Sequence, residues 1–180
     1  MEYNMLLLKL AIFAVVSVGA TLFSWPSLHD PRSHGFPRFF AFETLLGLIL
    51  LNVDRWYHDP LSAPQIVSWC LLACSLGLAI HGFYLLRVIG KPQGDFENTT
   101  ALVTLGAYKY IRHPLYSSLL LLGWGVFLKD LSLLGVGLIA AATACLIATA
   151  RLEEAENLRK FGDEYAAYMQ TTKMFIPFLF

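Results

Sequence analysis

Charge is what this chain has least of. Its 13 basic and 13 acidic residues make up 14% of 180 positions and cancel to a net charge of zero, where soluble domains carry about 25% charged residues. That scarcity excludes a nucleic-acid binder, which needs a basic face, and a charged disordered chain, which needs far more polar sequence. Cysteine is equally thin: three residues, in no metal-finger spacing, give neither a disulfide framework nor a zinc module. The alternation of a membrane β-barrel, with every second residue apolar, is also missing.

What the chain does have is hydrocarbon, 57% hydrophobic residues with a mean hydropathy of +0.58. Three apolar runs are long enough for a bilayer core, which takes about 20 helical residues. They are Met5–Trp25, broken only by Lys9, then Ile66–Leu86 and Leu131–Ala150, both free of formal charge. Phe39–Val53, carrying Glu43, and Leu115–Leu128 are shorter. Lipid tolerates no unpaired backbone, so these five segments are expected to form an all-α integral membrane bundle of five transmembrane helices. Glu2 ahead of the first run and Lys9 within it are unlike a cleaved leader, so that run is expected to stay as a helix. The length fits a single domain over 1–180, with three membrane helices in 1–86 and the more polar remainder in 87–178.

Basic residues orient this bundle. Arg32, Arg38, Arg87, Lys91, Lys109, Arg112, Arg151, Arg159, Lys160 and Lys173 fall on one side of five spans, and only Lys9, Arg55 and Lys129 on the other. The bias predicts the amino terminus outside and the carboxy terminus in the cytosol, in keeping with a bacterial inner membrane. Residues 87–114 and 151–180 then face the cytosol together. Ala140, Ala144 and Ala148, four apart, are expected to admit a close helix neighbour. Gly135-Val136-Gly137-Leu138-Ile139-Ala140 mimics a dinucleotide-binding turn, but it lies in an apolar span with no strand before it.

The most informative stretch is Gly106-Ala107-Tyr108-Lys109-Tyr110-Ile111-Arg112-His113-Pro114-Leu115-Tyr116. Proline suits the first position of a helix and keeps its predecessor out of helical conformation, so His113 is expected just outside a helix that starts at Pro114. The free amides of Leu115 and Tyr116 would then point to the cytosol, where a carboxylate or phosphate can bind. Tyr108, Tyr110 and Tyr116 offer faces to a flat ring or a cation. The same residues also suit an interfacial belt that anchors the helix among headgroups.

A second polar stretch, Arg151-Leu152-Glu153-Glu154-Ala155-Glu156, follows the fifth run. Leu158, Phe161, Tyr165 and Tyr168 recur beyond it at helical spacing, which predicts an amphipathic helix on the cytosolic face, bent at Gly162. Met174-Phe175-Ile176-Pro177-Phe178 then forms an apolar plug. A plain solvated acidic helix start accounts for the carboxylates equally well.

Together these residues resemble a known family. Thr100-Ala101-Leu102-Val103-Thr104, Gly106, Tyr108, Arg112-His113-Pro114-Leu115-Tyr116, Glu153-Glu154, Phe161-Gly162, Tyr165, Tyr168 and Pro177 are similar to the isoprenylcysteine carboxyl methyltransferases. They also resemble the wider group that includes phospholipid and thiol methyltransferases. The resemblance spans roughly 87–178. It implies S-adenosylmethionine as cofactor, held at the cytosolic end and covered by a carboxy-terminal amphipathic helix. Cofactor contacts are implied at Gln93, Thr100, Ala101, Leu102, Val103, Tyr108, His113, Pro114, Leu115, Tyr116 and Glu153. Relatives with carboxylate substrates place an arginine one turn before the cofactor glutamate, where Thr149 stands here; Arg151 is the nearest substitute. Glu154 is expected to take a proton from a thiol or amine acceptor, with no metal involved.

The expected acceptor is a lipophilic small molecule or a lipid-modified substrate reached from membrane lipid; the resemblance implies an activity most like carboxyl O-methylation of a protein isoprenylcysteine, with a phospholipid amine or a small thiol as the alternatives. Glu43 either lines its approach or snorkels to the interface. Two readings of another class remain, a non-catalytic membrane scaffold and a metal-binding protein using Cys70, Cys74 and His81, which share one helix face.

Overall fold

The computed structural model describes residues 2–92 and 99–179. It is all-helical, with no strand among the described residues: α1 (Glu2–Leu28), α2 (Gly35–Asn52), α3 (Ala63–Val88), α4 (Pro114–Phe127), α5 (Leu133–Phe161) and α6 (Asp163–Thr171). Helices α1, α2, α3 and α5 are long and apolar enough to cross a membrane, and α4 is an apolar helix of 14 residues. The chain therefore folds as an all-helical bundle with four helices able to span a membrane and a shorter apolar fifth.

Local chemistry sets the helix starts. Extended Ser62 precedes α3, whose first turn holds Pro64. The Ser132 hydroxyl accepts from the Gly135 amide at 3.1 Å and caps α5. His113 stands just ahead of Pro114 with φ −122° and ψ 62°, outside the helical region.

The bundle is two helix pairs with a peripheral fifth helix. Helix α2 packs along α5, α3 along α4, and α1 on α2. Close approach of α3 to α4 rests on Gly125 and on two serines whose hydroxyls donate to carbonyls across the gap: Ser68 to Gly125 O at 2.6 Å and Ser75 to Ser118 O at 2.7 Å. Ala41, Tyr116, Leu146, Ala150 and Phe175 form one core cluster, beneath the polar end. Leu48, Val126, Phe127 and Ile139 form another toward the opposite end.

The scarce charges are segregated. Arg55 faces Asp130 at 3.6 Å, Lys9 pairs with Asp54, and buried Lys129 donates to Gln65 at 2.9 Å over the Trp69 ring, all at the end where α2 and α4 finish. At the other end His34 meets Glu156 at 2.6 Å, joining the start of α2 to the last turns of α5.

Several expectations change. Helix α5 runs unbroken to Phe161, so Arg151–Glu156 belongs to the membrane helix rather than to a separate cytosolic one. Its 29 residues span about 43 Å at 1.5 Å per residue, against a core of about 30 Å, so the helix is longer than a bilayer core and its charged turns after Ala150 suit the excess. Only α6 is separate, set off by Gly162 at φ +55°, a conformation suited to glycine. Ala140, Ala144 and Ala148 receive no close helix neighbour; all three are exposed, and α5 turns Ile139, Ala142, Leu146 and Ala150 inward instead. Glu43 faces α1, accepting from the Ser17 hydroxyl at 2.5 Å. Cys70 and Cys74 are exposed, and His81 Nε2 accepts from the Ala107 amide at 3.3 Å.

Candidate functional site

Three segments converge at the polar end: the turn 99–113 leading into α4, the projecting turns of α5, and α6 with the tail behind it. Gly106 makes the turn possible. Its φ is +59°, and a Cβ there would sit 2.5 Å from His81 Nε2.

His113 lies at the centre, 5% exposed. Its Nδ1 is 4.0 Å from Glu153 Oε2, and its Nε2 is 3.3 Å from Glu154 Oε1. The ring stacks on Tyr116 at 5.5 Å and lies 6.0 Å from Phe175. Ser117 N donates to His113 O at 2.9 Å, the first bond of α4, so the amides of its first turn point out of the helix toward the polar end.

Arg112 ties the segments together. Its Nε donates to Glu154 at 2.6 Å, and its Nη1 donates to Met169 O at 3.3 Å and Thr172 O at 2.5 Å. The backbone adds a short strap: Lys173 N donates to Tyr110 O, Arg112 N to Lys173 O and His113 N to Met174 O. The Ser117 hydroxyl donates to Phe175 O at 2.9 Å, and the Tyr168 hydroxyl to Tyr108 O at 2.6 Å.

These residues enclose a cleft. Its cavity volume is about 80 Å³, within about 650 Å³ of empty space that includes open solvent. Of the residues named from the sequence, Leu102, Val103, Tyr108, His113, Leu115, Tyr116 and Glu153 line it. Pro114 is fully buried at the start of α4 and shapes the wall without lining it. Thr100 and Ala101 do not line it; their amides donate to Gly90 O and fasten the turn to α3. Gln93 lies outside the described residues.

Arg151 is exposed and off the cleft, because two residues of helix turn it about 200° from Glu153. Thr149, one turn before Glu153, is fully buried and donates to Cys145 O. Glu154 does not line the cleft either; its carboxylate is taken up by Arg112 and His113. Burial alone would raise its pKa, but hydrogen bonds and charge from His113 and Arg112 outweigh that and hold it below the usual carboxylate range.

Leu86, Thr99, Arg112, Asn157, Phe161, Tyr165 and Tyr168 also line the cleft and were not assigned to it from sequence. The available signal was spacing: Asn157 and Phe161 follow Glu153 at successive intervals of four on α5. Burial pushes the Tyr108, Tyr165 and Tyr168 hydroxyls far up, so all three stay neutral, and the nearby Glu153 carboxylate adds to the effect at Tyr108 and Tyr165.

On the membrane side of the strap lies an apolar groove of about 640 Å³, walled by Ile111, Leu120, Trp124, Ile147 and Phe175 among others. Ile111 and Phe175 therefore stand between hydrocarbon and the polar cleft.

Comparison with known proteins places this architecture. The phospholipid methyltransferase family model matches residues 64–164, covering α3, the His113 turn, α4 and α5. The chain belongs to that family. It is 36% identical over 128 residues to methanethiol S-methyltransferase 1 of Bradyrhizobium diazoefficiens, a match covering 67% of this chain and 44% of that protein. The chain thus matches less than half the length of this relative. No solved structure matches it.

Proposed function

We propose that the chain is an S-adenosylmethionine-dependent methyltransferase whose acceptor is a small lipophilic thiol, with the carboxy terminus on the cytosolic side of a bacterial inner membrane. The observation that carries this reading is the meeting of His113 and Glu153 from two distant segments, 4.0 Å apart on one cleft. The cleft's chemistry suits a zwitterionic sulfonium nucleoside: a carboxylate at Glu153, a helix start at Leu115 and Tyr116, and aromatic faces at Tyr108, Tyr116, Tyr165 and Tyr168. Bound there, the cofactor supplies an electrophilic methyl group on sulfur.

The chain's own residues divide the remaining work. Glu153 and Asn157 face the polar groups of the nucleoside or the amino acid, and the α4 amides take a carboxylate. Glu154 accepts from His113 Nε2–H, which leaves Nδ1 as a proton acceptor facing the cleft. His113 Nδ1 would take the proton of a thiol whose sulfur is aligned with that methyl group, the sulfonium of the cofactor leaving as a neutral thioether. Holding the two reactants near contact supplies much of the barrier lowering. Arg151 of α5 stands off the cleft, and Arg112, which lines it, is taken up by Glu154, Met169 O and Thr172 O, which favours a thiol over a carboxylate acceptor. The groove behind Ile111 and Phe175 suits an acceptor arriving from lipid. The similarity to a methanethiol methyltransferase points the same way.

A phospholipid amine is the second reading, favoured by the family description. The deciding experiment supplies purified protein with labelled S-adenosylmethionine and either methanethiol or phosphatidylethanolamine vesicles. The expected result is dimethyl sulfide from the thiol, with kcat/KM at least about tenfold lower in Glu153→Gln, equivalent to about 1.4 kcal/mol. Label in lipid alone would favour the second reading, and no labelled product from either acceptor would refute both.

A further inference from the structure

The methyltransferase reading gives no task to His81, which shares a face of α3 with Cys70 and Cys74. Both cysteines are exposed, and among the described residues no three His, Cys, Asp or Glu side chains come together to hold a metal ion. His81 meets the turn Gly106–Lys109 instead. This is a single 3-10 turn, so the amide of Ala107 at its start has no acceptor inside it. His81 Nε2 accepts from that amide at 3.3 Å, which requires the nitrogen to carry no proton.

Three residues on one face of α3 meet this turn. Leu78 lines the apolar groove, His81 takes the Ala107 amide, and Leu85 packs with Val103 and Tyr108 beside the polar cleft. The turn divides in the same way. Tyr108 lines the cleft, while Ala107, Tyr110 and Ile111 line the groove. Ala107 is the connecting peptide: its amide is held by His81, and its carbonyl accepts from the Tyr110 and Ile111 amides, both at 3.1 Å. The tail holds the far side, through the Tyr168 hydroxyl on Tyr108 O and Lys173 N on Tyr110 O. The fit at His81 is close, since a Cβ on Gly106 would stand 2.5 Å from Nε2 and 2.7 Å from Leu85 Cδ1.

Resting on the methyltransferase reading, we infer that His81 is a positioning residue: through the Ala107 amide it fixes the wall between cofactor cleft and acceptor groove, and so sets the acceptor's distance from His113. Without that bond the near end of the wall is free to shift. Ile111, which separates hydrocarbon from the cleft, shifts with the Ala107 carbonyl that holds its amide. Tyr108 is held separately, by packing on Leu85 and Val103 and by the Tyr168 hydroxyl, so cofactor binding survives. The loss falls on the alignment of the two reactants, which governs the chemical step.

The test measures kcat per bound S-adenosylmethionine, cofactor Kd, and hydrogen exchange over residues 106–111 in native protein, His81→Leu and His81→Gln. Leucine removes the acceptor, whereas glutamine restores an acceptor oxygen near the place of Nε2. In His81→Leu, exchange over 106–111 is expected to be at least about tenfold faster. Its kcat per bound cofactor should fall at least about tenfold, with cofactor Kd within about threefold of native. His81→Gln should bring exchange and kcat back to within about threefold of native. Should His81→Leu bind no cofactor, His81→Asn takes its place with the same expected losses, its side chain being too short to reach the amide. A role in stability alone would lower the thermal midpoint and the bound fraction but leave kcat per bound cofactor unchanged, and that outcome overturns the proposal. Equal impairment in His81→Gln and His81→Leu overturns it too, as does exchange over 106–111 that neither variant changes. All three leave the methyltransferase reading standing, because native protein still turns over. Native protein that methylates neither a thiol nor a phospholipid amine removes that reading and this proposal with it.

Discussion

Glu154→Leu is expected to destabilise the protein by about 3–5 kcal/mol, read as a large drop in thermal midpoint in detergent or nanodiscs. The carboxylate is 9% exposed and accepts from Arg112 at 2.6 Å, with His113 Nε2 at 3.3 Å. Its removal leaves a buried guanidinium without its anion, which costs more than the net worth of the pair. Glu154→Gln keeps an acceptor and should lose less. Because the native pKa is held below the usual carboxylate range, the pair's contribution is complete above the unfolded value. It is lost as pH falls through the lower folded value, so native protein should weaken in acid and Glu154→Leu should show a flatter acid limb. Equal thermal midpoints for native protein and Glu154→Leu would contradict this account of the buried pair.

Gly125→Leu is the second large effect, expected through the other helix pair. A Cβ at Gly125 would stand 3.0 Å from Leu72 Cγ and 3.3 Å from Ser68 O, and the Ser68 hydroxyl donates to the Gly125 carbonyl at 2.6 Å. Three further heavy atoms have no space there, so α3 and α4 must separate and the serine bond must break. Overpacking of this kind costs about 1–3 kcal/mol. Since α4 carries Tyr116 and is preceded directly by His113 at its polar end, the same change should weaken cofactor binding from many residues away. Gly137→Leu is the control, because nothing lies within 4 Å of its Cβ position and the side chain would extend into lipid. Similar losses in the two variants would show that glycine as such, rather than the α3–α4 approach, sets the cost.

The sequence made the helices legible because lipid imposes a crude rule, long runs without charge, and the chain obeys it. The start of α4 was legible for a different reason: Pro114 fixes both its own conformation and that of His113. The end of α5 was not. Arg151, Glu153 and Glu154 look like the end of a membrane helix, yet nothing in 151–161 breaks a helix, and α5 continues to Gly162. This continuation carries Glu153, Asn157 and Phe161 up one wall of the cleft.

The strap was least legible. Arg112 reads locally as an interfacial cation, and its partners Met169, Thr172 and Glu154 are 42 to 60 residues away. Glu154 was expected to accept a proton from the acceptor, and its pairing with Arg112 and His113 was not legible. The outward face of Ala140, Ala144 and Ala148 shows that small residues permit close helix packing without requiring it.

The central claim is that His113 and Glu153 share one nucleoside-binding cleft, and equilibrium binding of S-adenosylmethionine to purified protein tests it most directly. The account predicts saturable one-to-one binding that weakens at least about tenfold in both His113→Ala and Glu153→Ala, provided each variant remains folded. Native protein that fails to bind, or both folded variants binding as tightly as native, would contradict it.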